Sequence, residues 1–233
     1  MSFRKRLVAA LAIVGVASLL TFLQVEANEQ TDDQISDEAV WNAANDDLRA
    51  IDQACKNSSA AGYSECFIDQ MGGYASSDAI AFTQMLASQK SPRLGYLADL
   101  REYGVVDLGY VVYPGNGNMH QGWTLVNGIP AMVNLDDVTI LPKSAMEKDP
   151  QYIALRQSHR QIQLVVNDEQ RKADASPQIE RLPGEGERFV VPYSLQEPCA
   201  GCAPLAQASF GFDFNDAGKF VGIKFLRIEK TQP

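Results

Sequence analysis

The residues best suited to chemistry in this chain of 233 residues are the two cysteines of Cys199-Ala200-Gly201-Cys202. A Cys-x-x-Cys pair can exchange disulfides with a thiol, most readily where a helix N-terminus lowers the pKa of its first cysteine. Here the pair lies between Pro198 and Pro204 and precedes a strand pattern, so no helix dipole is expected. The spacing favours a structural disulfide at a strand-to-strand corner, with a thiol–disulfide redox site as the alternative.

Metal, haem and hydrolytic chemistry find little support in the residue pattern. A zinc site needs a second pair of cysteine or histidine ligands, and the chain has only two histidines, His120 and His159. Haem attachment needs a histidine directly after Cys202, where Ala203 stands. Nucleophile-elbow, zinc-protease and phosphate-loop motifs are also missing from the sequence. We therefore predict no metal, no cofactor and no catalytic residue, and favour a role other than that of an enzyme.

A second candidate is the loop between two predicted strands at residues 113–123. It combines glycines with two amides, an imidazole and an indole, contributed by Asn116, Asn118, His120 and Trp123. Such a mixture suits recognition of a sugar or a peptide, although an ordinary hairpin loop with one solvated histidine has the same composition. His159 ends a predicted helix, where a cation is favourable.

The first 27 residues indicate where the protein works. A basic start (Arg4, Lys5, Arg6) is followed by an apolar run over residues 7–23 and by the small-residue site Val25-Glu26-Ala27. This is the layout of a secretory signal peptide, so we expect a periplasmic or secreted protein with signal peptide 1–27. An uncleaved membrane anchor remains the alternative, because the run is only slightly shorter than the roughly 20 residues that span a bilayer.

Export would place all four cysteines in an oxidising space, where they form disulfides. Closeness in sequence favours Cys55–Cys66 and Cys199–Cys202, with cross-pairings left open.

The net charge is −9, and removal of three basic and one acidic residue with the signal makes it about −11. Such a chain repels phosphate backbones, so nucleic acid is not an expected partner. Stable membrane insertion after cleavage is not expected either.

The order of hydrophobic periods predicts an α+β fold, with N-terminal helices followed by a mostly antiparallel sheet with one inserted helix. Residues 28–36 are predicted as a flexible lead-in, and 37–233 as a single domain with a helical part (37–104) and a sheet part (105–230). Pro192 predicts an edge strand or a bulge. Helices are predicted over 37–55, 64–71, 78–88, 92–103 and 150–160. Strands are predicted over 105–113, 123–126, 131–135, 162–166, 189–195, 206–214 and 219–228, with a long loop over 167–187.

Five segments resemble a group of uncharacterised exported bacterial proteins to which we attach no activity. They are residues 125–130 (Leu-Val-Asn-Gly-Ile-Pro), 188–193 (Arg-Phe-Val-Val-Pro-Tyr), 199–203, 212–214 (Phe-Asp-Phe) and 218–222 (Gly-Lys-Phe-Val-Gly). The resemblance covers just over half the chain and implies export and a single unit, without a mechanism. The spacing of Cys55 and Cys66 is similar to that in small periplasmic modules, including some lysozyme inhibitors.

Together these features predict an exported binding or accessory protein stabilised by disulfides. Its partner would be an envelope protein or a cell-wall saccharide. The alternatives are a thiol–disulfide redox protein acting through Cys199 and Cys202 and a structural component of the envelope.

Overall fold

The computed structural model describes residues 34–89, 94–114, 120–166, 172, 177–199 and 201–230. Residues 34–233 form one compact unit. The predicted signal peptide 1–27 lies outside the described residues, as does the lead-in up to residue 33. Ile35, still within the predicted lead-in, is held by Asn127, which accepts from the Ile35 N–H at 2.7 Å and donates to its carbonyl at 2.8 Å.

The helical part begins with a 3-10 turn at Asp37–Ala39, followed by α1 (Asn45–Cys55), α2 (Ala60–Met71) and α3 (Ser77–Ala87). Ser59 caps α2 and Ser76 caps α3. The continuous helix predicted over 37–55 is wrong, because residues 40–44 interrupt it. The ring of the buried Trp41 packs on Tyr96, and the backbone N–H of Trp41 donates to the carbonyl of Leu97 at 2.8 Å. This tertiary contact replaces the helical hydrogen bonds there.

The first sheet is antiparallel and contains β1 (Tyr96–Arg101), β2 (Asp107–Tyr113), β3 (His120–Val126) and β4 (Met132–Asn134), in that spatial order. The helix predicted over 92–103 is wrong, since β1 occupies it. Tyr96 and Leu97 belong to different hydrophobic clusters, so a strand buries both where a helix face would not. A register shift between Leu97 and Asp99 hides the two-residue period. Strand pairing thus overrides local helix propensity.

The second sheet follows two short helices, α4 (Lys143–Met146) and α5 (Pro150–Ser158). It contains β5 (Gln163–Val166), β6 (Gln178–Arg181), β7 (Glu187–Gln196), β8 (Ala206–Phe214) and β9 (Phe220–Lys230). The order is β5-β7-β8-β9, and β6 also pairs with β7. Both α4 and β6 lie where no element is predicted. The α+β class with mostly antiparallel strands is confirmed.

Pro192 lies in β7, which is an inner strand of the sheet and not the edge strand expected, but Pro192 itself has a strand partner on one side only. The pairing of β5 with β7 stops at Tyr193 and that of β6 stops at Val190. Pro192 therefore pairs only with Ser209 of β8. The gap between β5 and β6 accommodates a residue that has no N–H to donate.

The first sheet is the middle layer of the fold. One face, with Leu97 and Val111, forms a cluster with Phe82 and Leu86 of α3. The opposite face joins the inner residues of the second sheet in the larger core. The Tyr193 hydroxyl donates to the carbonyl of Leu135 at 2.7 Å across this core. No helix within the described residues has the length and apolar character needed to cross a membrane.

Candidate functional site

A cleft of about 480 Å³ lies between β4 and β9, the last strands of the two sheets. Its polar lining consists of Gln89, Asn134 and Asp137, and Tyr113 also contributes to it. The rest of the wall is apolar and contains Leu86, Pro130, Met132, Val133, Ile140, Pro142, Phe220 and Ile223. Ligand sites in proteins have this composition: apolar walls with a few polar groups that orient the ligand.

Two segments far apart in sequence meet beside the cleft. The Ile129 N–H donates to the carbonyl of Gly218 and the Phe220 N–H donates to the carbonyl of Ile129, both at 2.8 Å. Gly218 has φ +68°, a value that favours glycine, and closes the predicted hairpin turn. The Asn215 side chain supports this turn by accepting from the N–H of Lys219 at 2.9 Å. The bridge joins the β3–β4 hairpin to the start of β9.

Three large apolar side chains are exposed on the segments that form the cleft. Ile140 lines it, Ile129 adjoins Pro130, and Val221 follows Phe220 on β9. Of the three, Ile140 alone lines the cleft, where it extends the apolar lining toward solvent. Because β4 and β9 end their sheets, their outer edges also present backbone donors and acceptors. An extended peptide can pair with such an edge.

The indole predicted to bind ligand is part of the core. Trp123 is only 4% exposed, with its ring centre 4.7 Å from that of Tyr110. The guanidinium carbon of Arg101 lies 4.6 Å from the ring centre, and the indole N–H donates to the carbonyl of Lys172 at 3.3 Å. The ring is therefore not available for stacking on a ligand in this arrangement.

Of the other predicted members of that loop, the structure describes His120 alone. His120 is exposed at the start of β3, opposite Tyr113 in the strand register. Asn116 and Asn118 lie outside the described residues. Ligand binding by this loop stays a prediction, with His120 as its accessible side chain.

Both disulfides form with the predicted local pairing, Cys55–Cys66 and Cys199–Cys202, with Cα–Cα distances of 5.7 and 5.5 Å. Cys55 is fully buried and joins α1 to α2. Cys199 is exposed and Cys202 half-buried, in the loop between β7 and β8. The two disulfides thus lie in quite different environments.

The Cys199–Cys202 disulfide has two acid–base neighbours that were not predicted. A carboxylate oxygen of Glu197 and the two sulfur atoms all lie within 4.8 Å of one another. The Nδ1 atom of His159, at the C-terminal end of α5, lies 3.1 Å from Oε1 of Glu197. Glu197, Cys199 and Cys202 are close enough to share a metal ion. Cysteine binds a metal as the thiolate, however, and here the two sulfur atoms are bonded to each other.

A charge cluster on the other face of the second sheet fastens β7, β8 and β9 together. Nε and Nη2 of Arg188 donate to the two oxygens of Asp213 at 2.6 and 2.9 Å, and Nζ of Lys224 lies 3.0 Å from Oδ2. Burial opposes ionisation of Asp213, but the bonds from Arg188 and Lys224 outweigh it and lower its pKa. Arg188 crosses Gly211, where a Cβ would stand 2.6 Å from its Cδ. A glycine within a strong strand was the sequence signal for this close approach.

No protein-family model, curated protein or solved structure matches this chain. The function is therefore inferred from the geometry of the sites themselves.

Proposed function

We propose that this protein is an exported binding protein whose cleft between β4 and β9 holds an extended, largely apolar segment of an envelope protein. The observation that carries the proposal is the apolar cleft between two sheet edges, with Ile129, Ile140 and Val221 exposed on the segments that form it. The amino-terminal sequence pattern and the two disulfides support export.

The chemistry of the cleft favours a peptide over a saccharide. Sugar sites use exposed aromatic faces and many polar groups, whereas Trp123 is buried and most of the described lining is apolar. The amides of Gln89 and Asn134, together with the strand edges, offer groups that can pair with a peptide backbone. Alternate side chains of an extended segment would then enter the apolar cleft.

The binding test uses a matched pair of isoleucines. Linear peptides selected from a random display library on the purified protein are measured for affinity by fluorescence anisotropy. Ile140→Glu places a carboxylate at the cleft, where the native side chain is 43% exposed, and should weaken binding at least about tenfold. Ile153→Glu makes the same change on α5 outside the cleft, at 47% exposure, and should have no effect. Equal affinities for the two variants would refute this cleft as the binding site.

Export is tested separately by mass spectrometry of the protein recovered from the cell envelope. A mature N-terminus at Asn28 supports a cleaved signal peptide. An intact Met1 in the membrane fraction would show that the apolar run is retained as an anchor.

A further inference from the structure

The Cys199–Cys202 disulfide adds little constraint to the fold. The β7–β8 hairpin is already closed by the pairing of Leu195 with Ala206 and by the Leu205 N–H, which donates to the carbonyl of Leu195 at 2.8 Å. Disulfide stabilisation grows with the length of the closed loop. The sequence separation is 3 residues here, against 11 for Cys55–Cys66. A structural role accounts well for Cys55–Cys66 and poorly for this second disulfide.

The difference in exposure between Cys199 and Cys202 gives the disulfide a direction of attack. An incoming thiolate must reach one sulfur while the other leaves. Cys199 is exposed and Cys202 is half-buried. Cys199 is therefore the sulfur that a thiolate can approach, and Cys202 is the leaving group. Cys55–Cys66 offers no such approach on the side of Cys55, which is fully buried.

Glu197 and His159 place an acid–base pair beside the leaving sulfur. The Glu197 carbonyl accepts from the Cys199 N–H at 2.8 Å, which sets Glu197 at the start of the loop. His159 is held at the end of α5, where its backbone N–H donates to the carbonyl of Leu155 at 2.9 Å. Its ring lies 3.1 Å from the Glu197 carboxylate, which itself lies within 4.8 Å of both sulfurs. A thiolate released at Cys202 thus has a nearby route for its proton.

We propose that Cys199–Cys202 is an exchange-active disulfide that oxidises a dithiol in a protein or peptide, with Glu197 and His159 as positioning residues for the proton. A substrate thiolate attacks Sγ of Cys199, the bond between the two cysteines breaks, and Cys202 leaves and takes up a proton. The second substrate thiolate then attacks the mixed disulfide and releases Cys199 as a thiol. The substrate loses two electrons and two protons, and the cysteine pair gains them. Glutathione disulfide restores the pair and becomes two molecules of glutathione.

The first test follows the oxidation of a dithiol peptide with glutathione disulfide as the terminal oxidant. The intact protein should accelerate this oxidation at least about tenfold over glutathione disulfide alone. The double variant Cys199→Ser, Cys202→Ser should be inactive while retaining its circular dichroism spectrum and urea midpoint. A rate equal to that of the double variant would show that the disulfide is structural only.

The second test identifies the attacked sulfur and the positioning residues. Cys202→Ser should trap a mixed disulfide with glutathione on Cys199, whereas Cys199→Ser should trap at least about tenfold less on Cys202. Equal trapping on both cysteines would overturn the assigned direction.

Glu197→Gln should slow peptide oxidation and alter its pH–rate profile, and Glu197→Asp should restore both. An unchanged profile in Glu197→Gln would remove the acid–base pair from the proposal. Failure of any of these tests leaves the peptide-binding cleft untouched, because the two sites share no residue.

Discussion

Replacing Asp213 with asparagine should cause one of the largest losses of stability available to a single polar substitution in this chain. The carboxylate is 2% exposed and receives two hydrogen bonds from Arg188. Asparagine keeps the shape but removes the charge. It also points an N–H donor at a neighbour that can only donate. The Arg188 guanidinium, whose side chain is mostly buried, would be left without a charged partner except the more distant Glu180.

The size of the effect follows from burial. Removing one partner of a buried ion pair costs about 3–5 kcal/mol. Asparagine can still accept one hydrogen bond, so we expect about 3 kcal/mol for Asp213→Asn. Lys224 is 62% exposed, so Lys224→Met should cost less than about 1 kcal/mol. Glu229→Gln breaks the exposed pair of Arg227 and Glu229 and serves as a control, with less than about 0.5 kcal/mol.

Urea unfolding monitored by the fluorescence of the buried Trp41 and Trp123 measures these differences. The pKa of Asp213 is lowered in the folded protein. Its stabilisation is therefore complete above the unfolded pKa of about 3.9 and is lost as the pH falls through the lower folded pKa. Wild type and Asp213→Asn should accordingly converge in acid. A loss at neutral pH no larger than that of Glu229→Gln would refute the assignment of a buried, net stabilising ion pair.

Three further substitutions test two other buried side chains, Glu187 and Trp123, and the exposed His120. Burial raises the pKa of Glu187 and outweighs the lowering by the nearby Arg181, while Asp107 raises it further. Oε2 of Glu187 has no hydrogen-bond partner within the described part of the chain. Ionisation of Glu187 therefore lowers the free energy of unfolding as the pH rises above about 4.3 and through the folded pKa. Glu187→Gln should raise the free energy of unfolding by about 1 kcal/mol at neutral pH and leave it unchanged near pH 4. An unchanged urea midpoint at pH 7 would contradict this. Trp123→Ala should cost about 3–5 kcal/mol as a core truncation, whereas His120→Ala should cost less than about 0.5 kcal/mol. The histidine variant is thus the one that tests binding by the 113–123 loop, and a small loss for Trp123→Ala would contradict its place in the core.

Local chemistry was enough to predict much of the fold. Asp149 caps α5 by accepting from the N–H of Gln151, and the strict alternation of β8 needs no partner to be recognised. The local disulfide pairing followed from sequence spacing in the same way. The failures were at residues 40–44, β1, α4 and β6, whose conformations depend on pairing with another strand or on contacts with other parts of the fold.

The candidate sites could be predicted only in part. The Cys-x-x-Cys motif was visible in sequence, but Glu197 and His159 beside it were not, because they are 38 residues apart and meet only through the pairing of β5 with β7, which places Gln163 opposite Gln196. The cleft gave no sequence signal, since its apolar residues resemble any core residues until the ends of two sheets leave them partly uncovered.

The sequence by itself determined which chemical groups are present: an apolar run near the amino terminus, four cysteines, a set of helix-capping residues and an excess of acidic residues. Tertiary structure alone decided which of them are accessible. It buried the indole of Trp123, left Cys199 exposed, and joined Ile129 to Gly218 beside a cleft. The physical reason is that caps and periods depend on neighbours along the chain, whereas burial depends on which distant surfaces meet.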